Sequence, residues 1–306
     1  MKLPLPAASD PTEILADWVE LEALGSANRE FSLENLVRVI RRTGSVDAVA
    51  GAHGDRGSEA SQRVAEDAFA EIESRAEACG VDRYPFVIEP GLLRSKKQPE
   101  ISPYILLLLL SFRKPTSGHG GTSALFEAIC AEAALGYLGG AENGAEVVRF
   151  GSPRLAPLTK LSAAIDHMCA VLGEGGGCRH PQQARHTGDD ELDIVAWRKF
   201  PDLKQGKLIA FGQCASGVTD WQSKLSKLDG ERFCKKWFRS MCVVNPVRMY
   251  FVPRRIPRNQ WEHAGIDGGI LFDRCRIIAC LPDMSVELRK RCKQNTRTLL
   301  TEARAQ

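Results

Sequence analysis

The chain has 306 residues, 43% of them hydrophobic, with a formal net charge of +3. That length suits one large domain or two ordinary ones, and that apolar fraction excludes a largely disordered chain. A charge so close to neutral does not mark a nucleic-acid binder, and the longest apolar run, Ile105 to Leu110, falls far short of the ~20 residues that span a bilayer.

Pro11 to Leu24 is expected to be helical, because Ile14, Trp18 and Leu21 recur at helical spacing and Gly25 ends the run. Ser32 is a good N-cap for a second helix with Leu36, Val37 and Ile40 inward, Arg41 and Arg42 at its end and Gly44 closing it. Residues 53–57 read as loop, and Ser58 to Ala78 as a third helix anchored by Val64, Phe69 and Ile72 and stopped by Gly80. Residues 1–97 are therefore expected to form a mainly helical module, and nothing in it names a ligand. Residues 98–306 are expected to form the second domain, with a basic C-terminal extension.

Tyr84 to Leu93 reads as extended, broken by Pro85 and Pro90. Tyr104 to Phe112 is apolar throughout and fits either a buried strand or a buried helix. A helix over Ser123 to Leu138, a short strand over Val147 to Phe150, a helix over Leu158 to Leu172 and a flexible loop over Gly173 to Gly188 follow. Strands are expected over Leu192 to Trp197 and Lys207 to Cys214. A helix from Asp220 then buries Trp221, Leu225 and Leu228. The remainder reads as a helix over Gly230 to Met241, a strand over Val247 to Val252, strand-like segments around Asp273 and a basic terminal helix, Ser285 to Arg304.

The stretch from Asp190 to Leu228 carries the chemistry. An acid on a strand apolar on both faces, such as Asp193, is costly unless it is paired or binds a cation, although an acid opening a strand is also common at a solvent edge. Gln213 shares a face with Ile209 and Phe211. Its side-chain carbonyl and the backbone carbonyl of Cys214 can ligate a hard cation, and a buried amide bonded to backbone is the plainer reading. Lys224 borders the buried side of its helix and can aim an ammonium at a phosphate, or simply snorkel to solvent. Glu127 lies early in its helix beside the small residues Cys130, Ala131 and Ala134, where another element can approach closely. An acid near a helix N-terminus is also unremarkable for the helix dipole alone.

Taken in order, LFEAICAEAALGYLGG with Glu127, DELDIVAW with Asp193 and KLIAFGQCASG with Gln213 resemble the PD-(D/E)XK nuclease superfamily. The resemblance covers roughly Thr122 to Leu228. It implies an α/β (α+β) restriction-endonuclease-like fold, a mixed sheet flanked by helices. It also implies a metal-dependent DNA endonuclease in which Glu127, Asp193, Gln213 and Cys214 hold Mg²⁺, with Mn²⁺ a substitute. The position two after Gln213 is Ala215, where that superfamily usually has a lysine, so Lys224 would carry the role from the following helix. The implied setting is bacterial restriction or anti-phage defence, with DNA and a partner protein as ligands and no membrane. The alternative is a weakened or inactive nuclease-fold subunit that binds DNA or a partner.

Charge distribution agrees with an anionic partner. Acids crowd the first 80 residues, whereas Lys235, Lys236, Arg239, Arg254, Arg255 and Arg258 begin a basic C-terminal third. A solvated helical face explains the same pattern equally well. Ten cysteines without a CxxC pair, and no leader-like opening, suggest a reducing, cytoplasmic setting. GHGGTS at residues 118–123 lacks the lysine of a phosphate loop, and Cys178, His180 and His186 lack an evident fourth zinc ligand.

Overall fold

A computed structural model describes residues 5–43, 54–118, 120–154, 156–186, 188–218 and 220–304. Gly44, His53 and His119 lie outside them. The architecture is mixed α/β, with a small antiparallel sheet and an open mixed five-stranded sheet among helices. Two compact units divide the chain: Met1–Leu109 with Arg255–Pro257 and Cys292–Gln306, and Leu110–Arg254 with Arg258–Arg291. Among the described residues no helix is long and apolar enough to cross a membrane.

In the first unit, α1 (Thr12–Gly25) leads to β1 (Glu30–Ser32) and α2 (Leu33–Arg42), followed by α3 (Gly54–Cys79). The Ser32 hydroxyl accepts from the Asn35 N–H at 3.2 Å, the cap its residue type favours. A tight hairpin, β2 (Phe86–Glu89) and β3 (Leu92–Ser95), completes a sheet of order β1-β3-β2. Residues 54–57, expected as loop, are helical, because α3 begins one turn earlier than its first apolar anchor suggests. Beneath the helices, fully buried Arg75 meets Asp17 at 2.7 Å, Glu20 at 3.1 Å and Glu71 at 2.9 Å. The Tyr84 and Tyr104 hydroxyls both donate to Glu20 at 2.7 Å. The ambiguous apolar run is α4 (Pro103–Leu110). It opens on a proline, which suits a first helical turn, and burial on every side erased its period.

The second unit is built on the five-stranded sheet, β4 (Ala145–Arg149), β5 (Ile194–Arg198), β6 (Leu208–Cys214), β7 (Val247–Phe251) and β8 (Ile270–Phe272), in that spatial order. The β4-β5-β6 pairings are antiparallel and the β6-β7-β8 pairings parallel. On one face Val195, Trp197, Ile209 and Phe211 pack with α6 (Leu161–Leu172) and with Phe233 and Trp237 of α8 (Gly230–Trp237). On the other lies α5 (Thr122–Tyr137), whose free Cys130 thiol neighbours that of Cys214. Gly136 lets α5 meet the end of α10 (Arg274–Cys280): a methyl there would fall 1.9 Å from the Cys280 carbonyl oxygen.

Several expected elements are shorter or different. The helix expected from Leu158 starts at Leu161. The helix from Asp220 is a single turn, α7 (Trp221–Lys224), and α8 stops at Trp237 because the chain turns extended at Phe238 to bridge Cys178. The strand-like stretch around Asp273 is β8 followed by α10. Asp273 is the helix cap between them, accepting from the Arg276 N–H at 3.0 Å. The Gly173 to Gly188 loop is pinned rather than free, with the Cys178 N–H on Asp166 at 2.8 Å and the Arg239 N–H on the Gly177 carbonyl at 2.9 Å. A single α9 (Trp261–Gly268) joins β7 to β8, and α11 (Val286–Arg304) ends the chain.

Candidate functional site

Strand directions gather chemistry at one end of the large sheet. β4 ends there at Arg149, β5 begins there after Asp193, and β6 and β7 end there at Cys214 and Phe251. The carboxyl ends of parallel strands are the usual place for a ligand crevice in open α/β sheets. The Asp193 backbone is locked into this end: its N–H donates to the Gly212 carbonyl at 2.9 Å, and its carbonyl accepts from the N–H groups of Phe150 at 2.7 Å and Gly151 at 2.9 Å.

Glu127 reaches the same place from α5, 7% exposed, and its Oε2 accepts from Arg149 Nη1 at 3.0 Å. Asp193 Oδ2 accepts from the Cys214 N–H at 2.7 Å. Gly151 lies between the two acids. A methyl there would sit 2.9 Å from both Asp193 Oδ1 and Glu127 Oε2, so those oxygens are at most about twice that distance apart. The two acids named from sequence thus converge, and only a residue without a side chain leaves the space between them open.

Their electrostatics follow from that placement. Burial lifts the Glu127 carboxyl to about 7, against the opposing pull of Arg149, and Asp189 adds to the rise. Asp193 is driven well above the ordinary aspartate range, first by burial and then by the Glu127 charge, while the Cys214 N–H opposes the shift. Burial and repulsion from neighbouring acids thus bias both carboxyls toward the protonated form. Among the described residues no three His, Cys, Asp or Glu side chains form a metal cage. Two converging carboxylates are donors of the kind that hard cations accept.

Gln213 is 2% exposed, and its Nε2 donates to Glu191 Oε2 at 2.6 Å. Because an ionised carboxylate only accepts, this bond fixes the amide orientation and leaves Gln213 Oε1 buried without a hydrogen-bond partner. The structure therefore joins Gln213 to Glu191 rather than to the two acids directly. The Cys214 N–H donates to Asp193, while its carbonyl, expected from sequence as a cation ligand, is a separate group. Asp190 and Glu191 are both left-handed, at φ 54° and 68°. Asp190 is anchored by Trp237 Nε1 at 2.7 Å, and Asp189 accepts from the Ser152 N–H at 3.1 Å. Such strain persists only where surrounding bonds hold it.

Lys224 opens on the same cavity as Glu127 and Cys214, about 610 Å³ and also lined by Lys114, Ser216 and Asp220. Its Nζ is 3.0 Å from Asp220 Oδ2, and that bond holds the Asp220 carboxyl below its ordinary value. Ala215, where the resembled motif has its lysine, is fully buried, its N–H bonds the Phe251 carbonyl at 2.9 Å, and it does not line this cavity. Sequence reading missed Arg149, Gly151, Glu191 and Lys114. Arg149 and Gly151 lie at and just past a short strand, and only the paired sheet shows that they face Glu127 and Asp193. Glu191 had a signal, its place in the acidic run Asp189–Asp193. No family model, curated protein or solved structure matches this chain.

Proposed function

We propose that the second unit is a metal-dependent DNA endonuclease with a restriction-endonuclease-like core. The observation that carries this is the pair Glu127 and Asp193 meeting across Gly151, with Glu127 also lining a cavity that Lys224 lines. The donors fit a hard cation: two carboxylates whose burial favours protonation unless a cation is present, and a buried amide oxygen on Gln213 that lacks a partner. Glu127 and Asp193 would hold Mg²⁺ or Mn²⁺, with the carbonyls of Gln213 and Cys214 as its proposed neutral ligands. When bound, the cation would supply Lewis-acid activation of a phosphodiester and a more acidic water.

The protein's own groups do the rest. Arg149 holds Glu127 in place and offsets its charge. The Cys214 N–H orients Asp193. Lys224, released from Asp220 by a phosphate, would offset charge building on the phosphorus, and Lys114 would hold a flanking phosphate. A bacterial defence setting and a protein partner are what the resemblance adds. A second reading, a nuclease-fold subunit that binds DNA without cutting it, draws on the commitment of Gln213 to Glu191 and of Lys224 to Asp220.

The test is cleavage of supercoiled, linear and single-stranded DNA with Mg²⁺, with Mn²⁺ and with chelator. The expected result is metal-dependent cutting, reduced roughly 100-fold or more in Asp193→Ala and about 10-fold or more in Lys224→Ala. Cutting that survives Asp193→Ala would place the chemistry elsewhere. Binding without any cutting would select the second reading.

A further inference from the structure

The first unit carries a groove of about 490 Å³ between α2 and α3, lined by Glu34, Val37, Arg38, Arg41, Arg42 and Gln62. We infer that this groove binds the phosphate backbone of DNA, independently of the cutting site. The inference rests on the nuclease reading only for its choice of DNA as the polyanion.

The arginines are placed by helix geometry. Leu36, Val37 and Ile40 take the buried side of α2, which leaves Arg38, Arg41 and Arg42 exposed on a shared outer side. Arg41 is held by a hydrogen bond from Nη2 to the Ser58 hydroxyl of α3, which fixes one wall. No ion pair engages Arg38 or Arg42 among the described residues, and Glu34 is the single acid in the lining. The groove thus has a net positive lining made of guanidinium groups, whose fork of donors matches phosphate oxygens.

Exposure decides the kind of ligand. A small anion is held well only by buried, desolvated donors, and these arginines are in water. A polyanion gains instead from several weak, screened contacts and from counterion release. At 1.5 Å of rise per residue, Arg38 to Arg42 spans roughly 6 Å, and a DNA strand offers a phosphate about every 3.4 Å of axis, so the run meets about two. The acids of α3, including Glu59, Glu66 and Glu73, argue against that helix entering a groove to read bases. The contact is therefore with the backbone and independent of sequence.

The experiment measures binding of a labelled DNA duplex by the full chain in chelator, where no cutting occurs, across a salt series. It compares wild type with Arg38→Ala/Arg42→Ala and, as a control, Lys204→Ala, an exposed cation outside the groove. Both arginines are exposed, so circular dichroism and Tm of the double variant should match wild type. Arg38→Lys/Arg42→Lys, which keeps the charge, should retain most of the affinity. The expected result is a double variant about 10- to 100-fold weaker at 0.1 M salt, with a log–log salt slope smaller by about 2, while Lys204→Ala binds nearly as wild type. Unchanged affinity and slope in the double variant would overturn the inference, as would a loss of binding to an acidic peptide with no loss for DNA. Arginine-dependent binding by a protein that never cuts would sustain the groove while removing the nuclease reading.

Discussion

Gly151 separates Glu127 from Asp193 by offering no side chain. Gly151→Ala would put a methyl 2.9 Å from an oxygen of each, and both acids are restrained, one by Arg149 and the other by the Cys214 N–H. Misplacement on the order of 1 Å at a reacting centre costs roughly 100-fold in rate, so Gly151→Ala should lose about that much cutting while its Tm stays near wild type. The protonation of Glu127 gives a second test. Between its ordinary 4.5 and about 7, the folded protein keeps a proton that the unfolded chain has released. Stability from this group therefore falls as pH rises through that window. A bound divalent cation replaces the proton, so the rise in Tm on adding Mg²⁺ should be larger at pH 8 than at pH 6. Glu127→Gln should flatten that difference, and an equal Mg²⁺ effect at both pH values would remove Glu127 from the cation site.

At the scale of elements, stability in each unit depends on a few buried polar anchors. Arg75 of α3 joins Asp17 and Glu20 of α1 and Glu71 of its own helix. Arg75→Met would leave acids buried without their cation, and chemical denaturation should report a loss of about 3–5 kcal/mol in the first unit. Asp273 caps α10 where the chain leaves β8. Asp273→Ala should cost about 1 kcal/mol by the same measurement. These anchors also explain which elements were legible. The α2 helix announced itself through Ser32 and an amphipathic pattern, and α5 through its run of Ala and Leu. The segment around Asp273 did not, because three residues of strand and seven of helix are too short for either period to register.

At the scale of the molecule, the first unit is not continuous in sequence. The chain leaves it near Leu109 and returns at Arg255–Pro257 and Cys292–Gln306. Within α11, Cys292 and Thr296 are almost fully buried and Leu299 is 8% exposed. A chain ending at Arg291 should therefore lose protection of α1 to α3 in limited proteolysis, while the second unit keeps its response to Mg²⁺. Full protection of α1 to α3 in that truncation would show that the first unit does not need its C-terminal segment. Ligand linkage adds that Mg²⁺ should stabilise the unit carrying Glu127 and Asp193, in proportion to its occupancy there.

Periodicity, caps and glycine stops were sufficient to place most helices and the strands β5 and β6, because those signals are local and repeat within a few residues. The acids Glu127 and Asp193 were legible for a related reason: a carboxylate among apolar neighbours is costly wherever the chain folds. What only tertiary structure decided is everything that depends on pairing across long separations. Arg149 and Gly151 became partners of the two acids through the β4-β5 register. Gln213 turned to Glu191 because a left-handed turn brings that acid to it. The C-terminal segment Cys292–Gln306 groups with the first unit, and Cys292, Thr296 and Leu299 within it are buried. Local pattern sets which residues face inward, and only the closed fold determines what they face.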